Sequence, residues 1–315
     1  RGQQSALIMG VSSSAFDVIE QGKDRMVSAG VSHVSPYVVS ASQPNAVANV
    51  IGQHLGFSIY TETISSACTA GLMAVSKGAE LIRSGKADVV LAGGADAPVT
   101  PFAVASFAAC GMVPSDCTDP ATASRPFDLY RNGGVMSEGA CMVVLESLAH
   151  AIARGARPIA ELRSHGSHQD EPGSEPGSGL RSTMAGAVSN AGLYPEEIDY
   201  ICAHGPSDPI MDRVETQAIK HVFGEHAFDV AVSSIKGVTG NPLSAAGPLS
   251  LSACALAFRD GMLPPTANYS TRDPDCDLDF VPNKARAASL RFAVVNIHGM
   301  GGGNCSVVLE RSSEV

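Results

Sequence analysis

The chain has 315 residues, a formal net charge of −10 and 44% hydrophobic content, enough for a sizeable core. The acidic balance argues against general nucleic-acid binding, and no apolar run approaches membrane-spanning length. Eight irregularly spaced cysteines without a CxxC pair argue against a zinc site or a disulfide framework, so a reduced, cytoplasmic setting is expected.

Taken in order, the elements alternate between strand and helix patterns. Residues 1–10 end in an apolar run that reads as a strand. Cys68 follows, in Glu62-Thr63-Ile64-Ser65-Ser66-Ala67-Cys68-Thr69-Ala70-Gly71, at the head of a helical pattern of Leu72, Val75, Ala79 and Ile82 that Gly85 stops. A thiol at a helix N-terminus feels the positive end of the macrodipole, which favours the thiolate. Residues 87–94 and 140–146 are short apolar runs of the kind that form buried strands. Between them, residues 103–112 are apolar apart from Ser106. Residues 166–179 are rich in glycine, proline and acid and read as one loop. His165 and His168 lie beside it without further ligands at metal-binding spacing. Residues 292–296 and 305–310 read as two strands joined by a glycine turn. Buried strands between helices define an α/β sheet covered on both faces.

Five segments, in order, resemble the β-ketoacyl synthases, the condensing enzymes of fatty acid and polyketide synthesis. Ser66-Ala67-Cys68-Thr69-Ala70-Gly71 is similar to the family's nucleophile turn. Ser124-Arg125-Pro126-Phe127-Asp128, followed by Arg131, Gly133, Glu138 and Gly139, is similar to its central signature. Ala203-His204-Gly205, with Asp212 and Glu215 downstream, resembles the first histidine motif. Ser234-Ile235-Lys236 through Gly240-Asn241 and Ala245-Ala246-Gly247 resembles the lysine and second-histidine motif. Residues 296–306 resemble the glycine-rich closing turn.

The resemblance implies the thiolase fold, a five-layer αβαβα sandwich of two related halves. Residues 1–150 would hold the remainder of the N-terminal half with the nucleophile, and residues 151–315 the C-terminal half with His204 and Asn241. The family usually carries further strand and helices before the point matching residue 1, so a missing N-terminal segment is expected among the partners. The others implied are an acyl carrier protein, presenting substrates on its phosphopantetheine, and a second subunit in a homodimer or ketosynthase heterodimer. No tightly bound cofactor is implied.

Carried onto this sequence, the family's roles make Cys68 the nucleophile that holds the acyl chain as a thioester. The backbone N–H groups of Cys68 and Met300 form the oxyanion hole. His204 and Asn241 polarise the malonyl thioester carbonyl, and Lys236 holds the network in contact with the acidic pair Asp212 and Glu215. Phe127, Asp208 and Met300 are the implied substrate-lining residues, while Asp128, Arg131 and Glu138 fix a loop beside the site.

Three positions depart from the family. Asn241 stands where elongating members carry a second histidine, giving a Cys68-His204-Asn241 set like that of the initiating enzymes. Pro206-Ser207-Asp208 replaces the threonines that bind the pantetheine arm. Met300 replaces an aromatic gate. The resemblance therefore implies decarboxylative condensation. The alternatives are an acyltransferase or decarboxylase without efficient condensation, and a non-catalytic partner subunit.

Overall fold

In the computed structural model, which describes residues 4–13, 15–56, 59–114 and 119–313, two sheets organise the chain. The first contains β1 (Ser5–Gly10), β2 (Tyr60–Ile64), β3 (Val89–Asp96) and β4 (Gly139–Glu146) in the order β2-β1-β3-β4. β1 is parallel to both neighbours, and β4 runs antiparallel to β3. The helices of this part are α1 (Phe16–Ala29), α2 (Val38–Ala41), α3 (Ala46–Leu55), α4 (Ala70–Arg83), α5 (Pro101–Ala109) and α6 (Leu148–Ala153).

The second part has β5 (Ala160–Gln169), β6 (Tyr200–Cys202), β7 (Ala231–Ser233), a short ribbon of β8 (Met262–Leu263) and β9 (Arg286–Ala287), then β10 (Phe292–Gly299) and β11 (Gly303–Arg311). Its helices are α7 (Leu180–Asn190), α8 (Pro209–Phe223), α9 (Lys236–Thr239) and α10 (Ala246–Asp260). The main sheet is ordered β5-β11-β10-β6-β7, with β6 parallel to β7 and β10, and β11 antiparallel to β10 and β5. Reading β7-β6-β10-β11 against β2-β1-β3-β4 gives the same pattern of two parallel pairings and one antiparallel. This internal repeat is invisible in the sequence because only topology preserves it.

The repeat places α4 and α10 between the two sheets, where α4 packs on β1, β3 and β11 and α10 on β10 and β4. A helix buried on all sides needs small residues, and α4 supplies buried Ala70, Gly71, Ala74, Ser76, Gly78 and Ala79. Gly71 is compulsory: a Cβ there would lie 2.1 Å from the Ser244 carbonyl oxygen. α3 covers the outer face of the first sheet, through Leu7, Met9, Val11 and Ala48. α7 covers the outer face of the second, with α8 packed beside it, around Leu180, Met184, Ile201, Ile219 and Val294. The result is the five-layer αβαβα sandwich that the resemblance implied.

Element bounds differ from the sequence reading in three places. The strand expected over residues 87–94 begins at Val89 and runs on to Asp96, and the two closing strands are longer at their turn. Residues 166–169 are not loop but the end of β5, whose polar residues pair antiparallel with β11. Backbone pairing decides the strand there, and a composition argument misses it. Residues 103–112 contain most of α5, and the surface there is apolar: Phe102, Val104 and Met112 are exposed. Among the described residues no helix is long and apolar enough to cross a membrane.

Candidate active site

The carboxyl ends of β2, β6, β7 and β10 converge, as expected for ligand sites in sheets with parallel strands. Cys68 lies between β2 and the start of α4. The residue before it, Ala67, has φ 51°, in the left-handed region that costs a non-glycine residue about 1 kcal/mol. Thr69 donates from its hydroxyl to the Ser66 carbonyl at 2.6 Å, and Ala70 N–H donates to the Ala67 carbonyl. These bonds hold the strained turn, a conformation of the kind that concentrates at functional sites.

The Asn241 side chain and Met300 N–H lie beside the Cys68 sulfur and favour its charged form. Asn241 follows α9 and is pinned through its backbone: its N–H donates to the Val135 carbonyl at 2.7 Å, and its carbonyl accepts from Ser137 N–H. Met300 sits in the β10–β11 turn, where Gly301 and Gly302 both take φ 89° and Gly302 N–H closes the turn on the Gly299 carbonyl. Only glycine adopts that pair of angles freely. Burial pushes the Cys68 thiol up, and the Lys236 cation opposes this only in part. The helix N-terminus therefore does not make Cys68 a resting thiolate, contrary to the dipole argument from sequence: desolvation of the charge is the larger effect.

His204 follows β6 and is buried. Its N–H donates to Glu215 at 2.9 Å, and Gly205 N–H donates to the other oxygen of the same carboxylate at 2.8 Å. The Lys236 ammonium donates to the His204 carbonyl and lies 3.5 Å from Nδ1. Lysine has no acceptor, so Nδ1 offers its lone pair and Nε2 carries the proton. Burial holds the imidazole well below its usual range, assisted by the charge of Lys236. His204 is thus a neutral hydrogen-bond donor.

Lys236 does not touch the acidic pair. Glu215 is bound by the His204 and Gly205 amides and by the Asn296 side chain at 3.3 Å. Asp212 accepts from Phe127 N–H at 2.7 Å and faces Arg131 at 3.5 Å, with burial pushing its carboxyl up to about 8. The acids act on Lys236 only through space, and fix the backbone of the histidine and phenylalanine turns.

Two implied substrate residues also serve otherwise. Phe127 is fully buried and stacks on Phe280 with ring centroids 4.0 Å apart, so it is core rather than lining. Asp208 caps α8, accepting from Ile210 and Met211 N–H at 2.9 and 2.8 Å. Ser207 accepts from Arg125 N–H at 3.0 Å, so the segment replacing the usual threonines is bound into the fold. Met300 does lie at the mouth, with its side chain half exposed. Arg131 bonds Asp273 at 2.5 Å and the Asp128 and Pro209 carbonyls, while Glu138 accepts from Val99 N–H, so these residues hold loops.

His298, which sequence reasoning passed over, completes the site. It lies at the end of β10, with its ring centroid 6.0 Å from that of His204 in an edge-to-face arrangement. Nδ1 is 3.0 Å from Asn304 Oδ1, and Asn304 Nδ2 donates to Asp170 at 2.7 Å. The signal was a histidine inside the closing turn, where a strand-end polar residue is the ordinary reading.

The depressed His204 has a consequence for stability. The unfolded chain regains the ordinary value near 6.5 and binds a proton that the native site excludes. This contribution is full above about pH 6.5 and falls as pH drops toward the native value, by at most about 1.4 kcal/mol per unit. Asp212, Glu215 and Asp96 are raised by burial and act with the opposite sign, adding stability at low pH that is lost as pH rises. A comparison with His204→Asn isolates the histidine: the gap in unfolding free energy between wild type and variant narrows below about pH 6.5 in denaturant titrations.

A buried cysteine in a strained turn, a neutral histidine donor and a buried lysine, all on a five-layer sandwich, place the chain among the thiolase-fold proteins. The chain belongs to the β-ketoacyl synthase family: it matches the N-terminal domain of β-ketoacyl synthases over residues 1–151 and the C-terminal domain over residues 159–270. It is 42% identical over 275 residues to the tetracenomycin polyketide synthase ketoacyl synthase alpha subunit of Streptomyces glaucescens, covering 86% of this chain and 65% of that one. It is 38% identical over 298 residues to 3-oxoacyl-[acyl-carrier-protein] synthase 2 of Coxiella burnetii, covering 93% and 72%. The chain thus spans about two thirds of the length of these curated relatives. Among solved structures, a type II polyketide synthase acyl-carrier protein in complex with its ketosynthase superposes with TM-score 0.94 at 31% identity, covering 99% and 79%. The ishigamide ketosynthase/chain length factor gives 0.92 at 33% identity, covering 99% and 76%.

Proposed function

We propose that the protein is a β-ketoacyl synthase that takes an acyl group from a carrier-protein thioester onto Cys68 and condenses it with a malonyl-type thioester, releasing carbon dioxide. The observation that carries this reading is the convergence of three features: Cys68 in its strained turn, the Met300 glycine turn packed on it through Gly299, and a buried His204 held by Lys236. In the first half-reaction Cys68 attacks the carrier thioester, and the oxyanion sits between its own N–H and that of Met300. Acylation turns the sulfur into a thioester, a poorer hydrogen-bond acceptor, and so releases Asn241 from it. The amide is then free to join His204 Nε2–H on the malonyl carbonyl, where both stabilise the enolate left by loss of carbon dioxide. The enolate carbon attacks the acyl thioester and the Cys68 thiolate leaves.

Retention of Cys68, His204 and Lys236 in one buried cluster weighs against a non-catalytic partner subunit. Substrates would arrive on the phosphopantetheine of an acyl carrier protein, by analogy with the complex cited above. The exposed apolar side chains of and around α5 and the edge strand β2 support pairing with a second subunit, as a homodimer or a ketosynthase heterodimer. All seven cysteines among the described residues are free, which supports a reducing, cytoplasmic compartment.

The test supplies acyl-loaded and malonyl-loaded carrier protein together. Release of one carbon dioxide per β-ketoacyl carrier formed is expected. Carbon dioxide without extended product would make the protein a decarboxylase, and neither product would leave the partner-subunit reading.

A further inference from the structure

Cys68 rests as a buried thiol, so its reaction with a thioester requires a group that takes the thiol proton. Most polar groups around it are committed. His204 offers its only lone pair to Lys236, and its Nε2 already bears a proton. Asn241 cannot hold a proton. Asp96 accepts from Ser12, Ser13 and Ser244 amides and from the Ser244 hydroxyl. Glu215 is engaged with the His204 and Gly205 amides.

His298 is arranged differently. Asn304 Nδ2 donates to Asp170 Oδ1 at 2.7 Å, the Gly302 carbonyl at 3.0 Å and the His168 carbonyl at 3.2 Å. Three acceptors around one amide nitrogen fix which way the Asn304 side chain points, so its Oδ1 must accept, and His298 Nδ1 carries the proton it accepts. Nε2 then has a lone pair, and among the described residues no protein group takes it. The Asp170 carboxylate lies 3.9 Å from Nδ1. Burial works against its charge, but hydrogen bonds from Asn304, Gly177 and Gly179 hold its carboxyl below the usual range, so it stays anionic beside the ring. The chain also brings the residue after this histidine onto the nucleophile turn. Gly299, the next residue, packs on the Cys68 turn, where a Cβ would lie 3.1 Å from the Ser66 carbonyl oxygen and 3.4 Å from Cys68 N.

We propose that His298 is a further catalytic residue, the proton acceptor for Cys68, oriented by Asn304 and supported by Asp170. The inference rests on the condensing activity proposed above. During acyl transfer the S–H bond of Cys68 breaks and its proton passes to His298 Nε2, directly or through one water. The sulfur pair forms the new C–S bond, the carrier C–S bond breaks, and the departing carrier sulfur takes the proton back. In this chain an imidazole from β10 thus restores the proton-carrying function that Asn241 lacks. The titratable groups around the ring are Asp170 beyond β5 and His204 beyond β6, with Lys236 and Glu215 behind His204; Cys68 heads the turn on which Gly299 packs.

The test measures two rates against pH in wild type, His298→Phe and His298→Gln: alkylation of Cys68 by iodoacetamide, and acyl transfer from an acyl carrier thioester. Phenylalanine keeps the ring shape, and glutamine keeps a hydrogen bond to Asn304, so at least one variant is expected to fold, as judged by circular dichroism. Both rates are expected to fall about 100-fold near pH 7. The variants should recover as pH rises and the thiol ionises unaided, whereas a purely structural role would leave the shape of the pH profile unchanged. Folded variants with wild-type rates and profile would overturn the proposal. If alkylation depends on His298 but wild type accepts no acyl group from any carrier, thiol activation stands and the condensing reading falls.

Discussion

Cys68→Ala is expected to remove acyl-enzyme formation entirely and to lower condensation by about ten-thousand-fold or more, the loss typical of removing a covalent nucleophile. The fold should survive, because the side chain is small and the Ala67 turn is held by Thr69 and Ala70 rather than by the thiol. Decarboxylation of a malonyl carrier should persist at a low level in this variant. His204 and Asn241 remain to receive the enolate oxygen, and Asn241 loses the sulfur that otherwise occupies it. Assay of carbon dioxide release alongside β-ketoacyl product separates the two effects. Product formation at the wild-type rate would remove Cys68 from the mechanism.

Lys236→Met is expected to lower condensation by about 100- to 1,000-fold, comparable to losing a preorganised oxyanion donor. Lys236 is buried, its ammonium bonds the His204 carbonyl, and its charge favours the thiolate of Cys68. Without it, Nδ1 of His204 loses the donor that fixes its tautomer, and the Nε2–H on which the proposed enolate stabilisation depends is no longer enforced. Acyl transfer should fall less than condensation, since it uses the Cys68 and Met300 amides. Single-turnover acylation and condensation, measured separately, test this ordering. Equal losses in both steps would mean that Lys236 acts chiefly on Cys68 and not through His204.

The sequence made some of this legible for definite reasons. Leu72, Val75, Ala79 and Ile82 mark one face of α4, and Gly85 takes φ 67° just past its end, so the nucleophile helix could be read directly. The glycine turn around Met300 could be read because Gly301 and Gly302 leave little other use for such a run. Contacts between distant segments could not. Lys236 was expected to meet Asp212 and Glu215, yet it reaches over them to the backbone of His204. Phe127 sits in a motif associated with the site, but its φ of 62° turns it into the core against Phe280. Asp208 lies where a substrate contact was expected, and the start of α8 claims its carboxylate.

His298 shows the limit most clearly. Its tautomer is set by Asn304, whose orientation is set by Asp170 at the far end of β5. Only the antiparallel pairing of β5 with β11 brings these residues together. That strand looked like loop because its end, Gly166-Ser167-His168-Gln169, is polar. The end of β5 and the setting of His298 are therefore hidden in the sequence for one reason: both depend on the β5–β11 pairing.

The most direct test of the account is the intact mass of the protein after incubation with carrier-bound acyl thioesters of several chain lengths, with Cys68→Ala as control. The account predicts a mass increase equal to the acyl group in wild type and none in the variant, discharged when malonyl carrier is added. No acylation from any donor, or acylation that persists without Cys68, would contradict it.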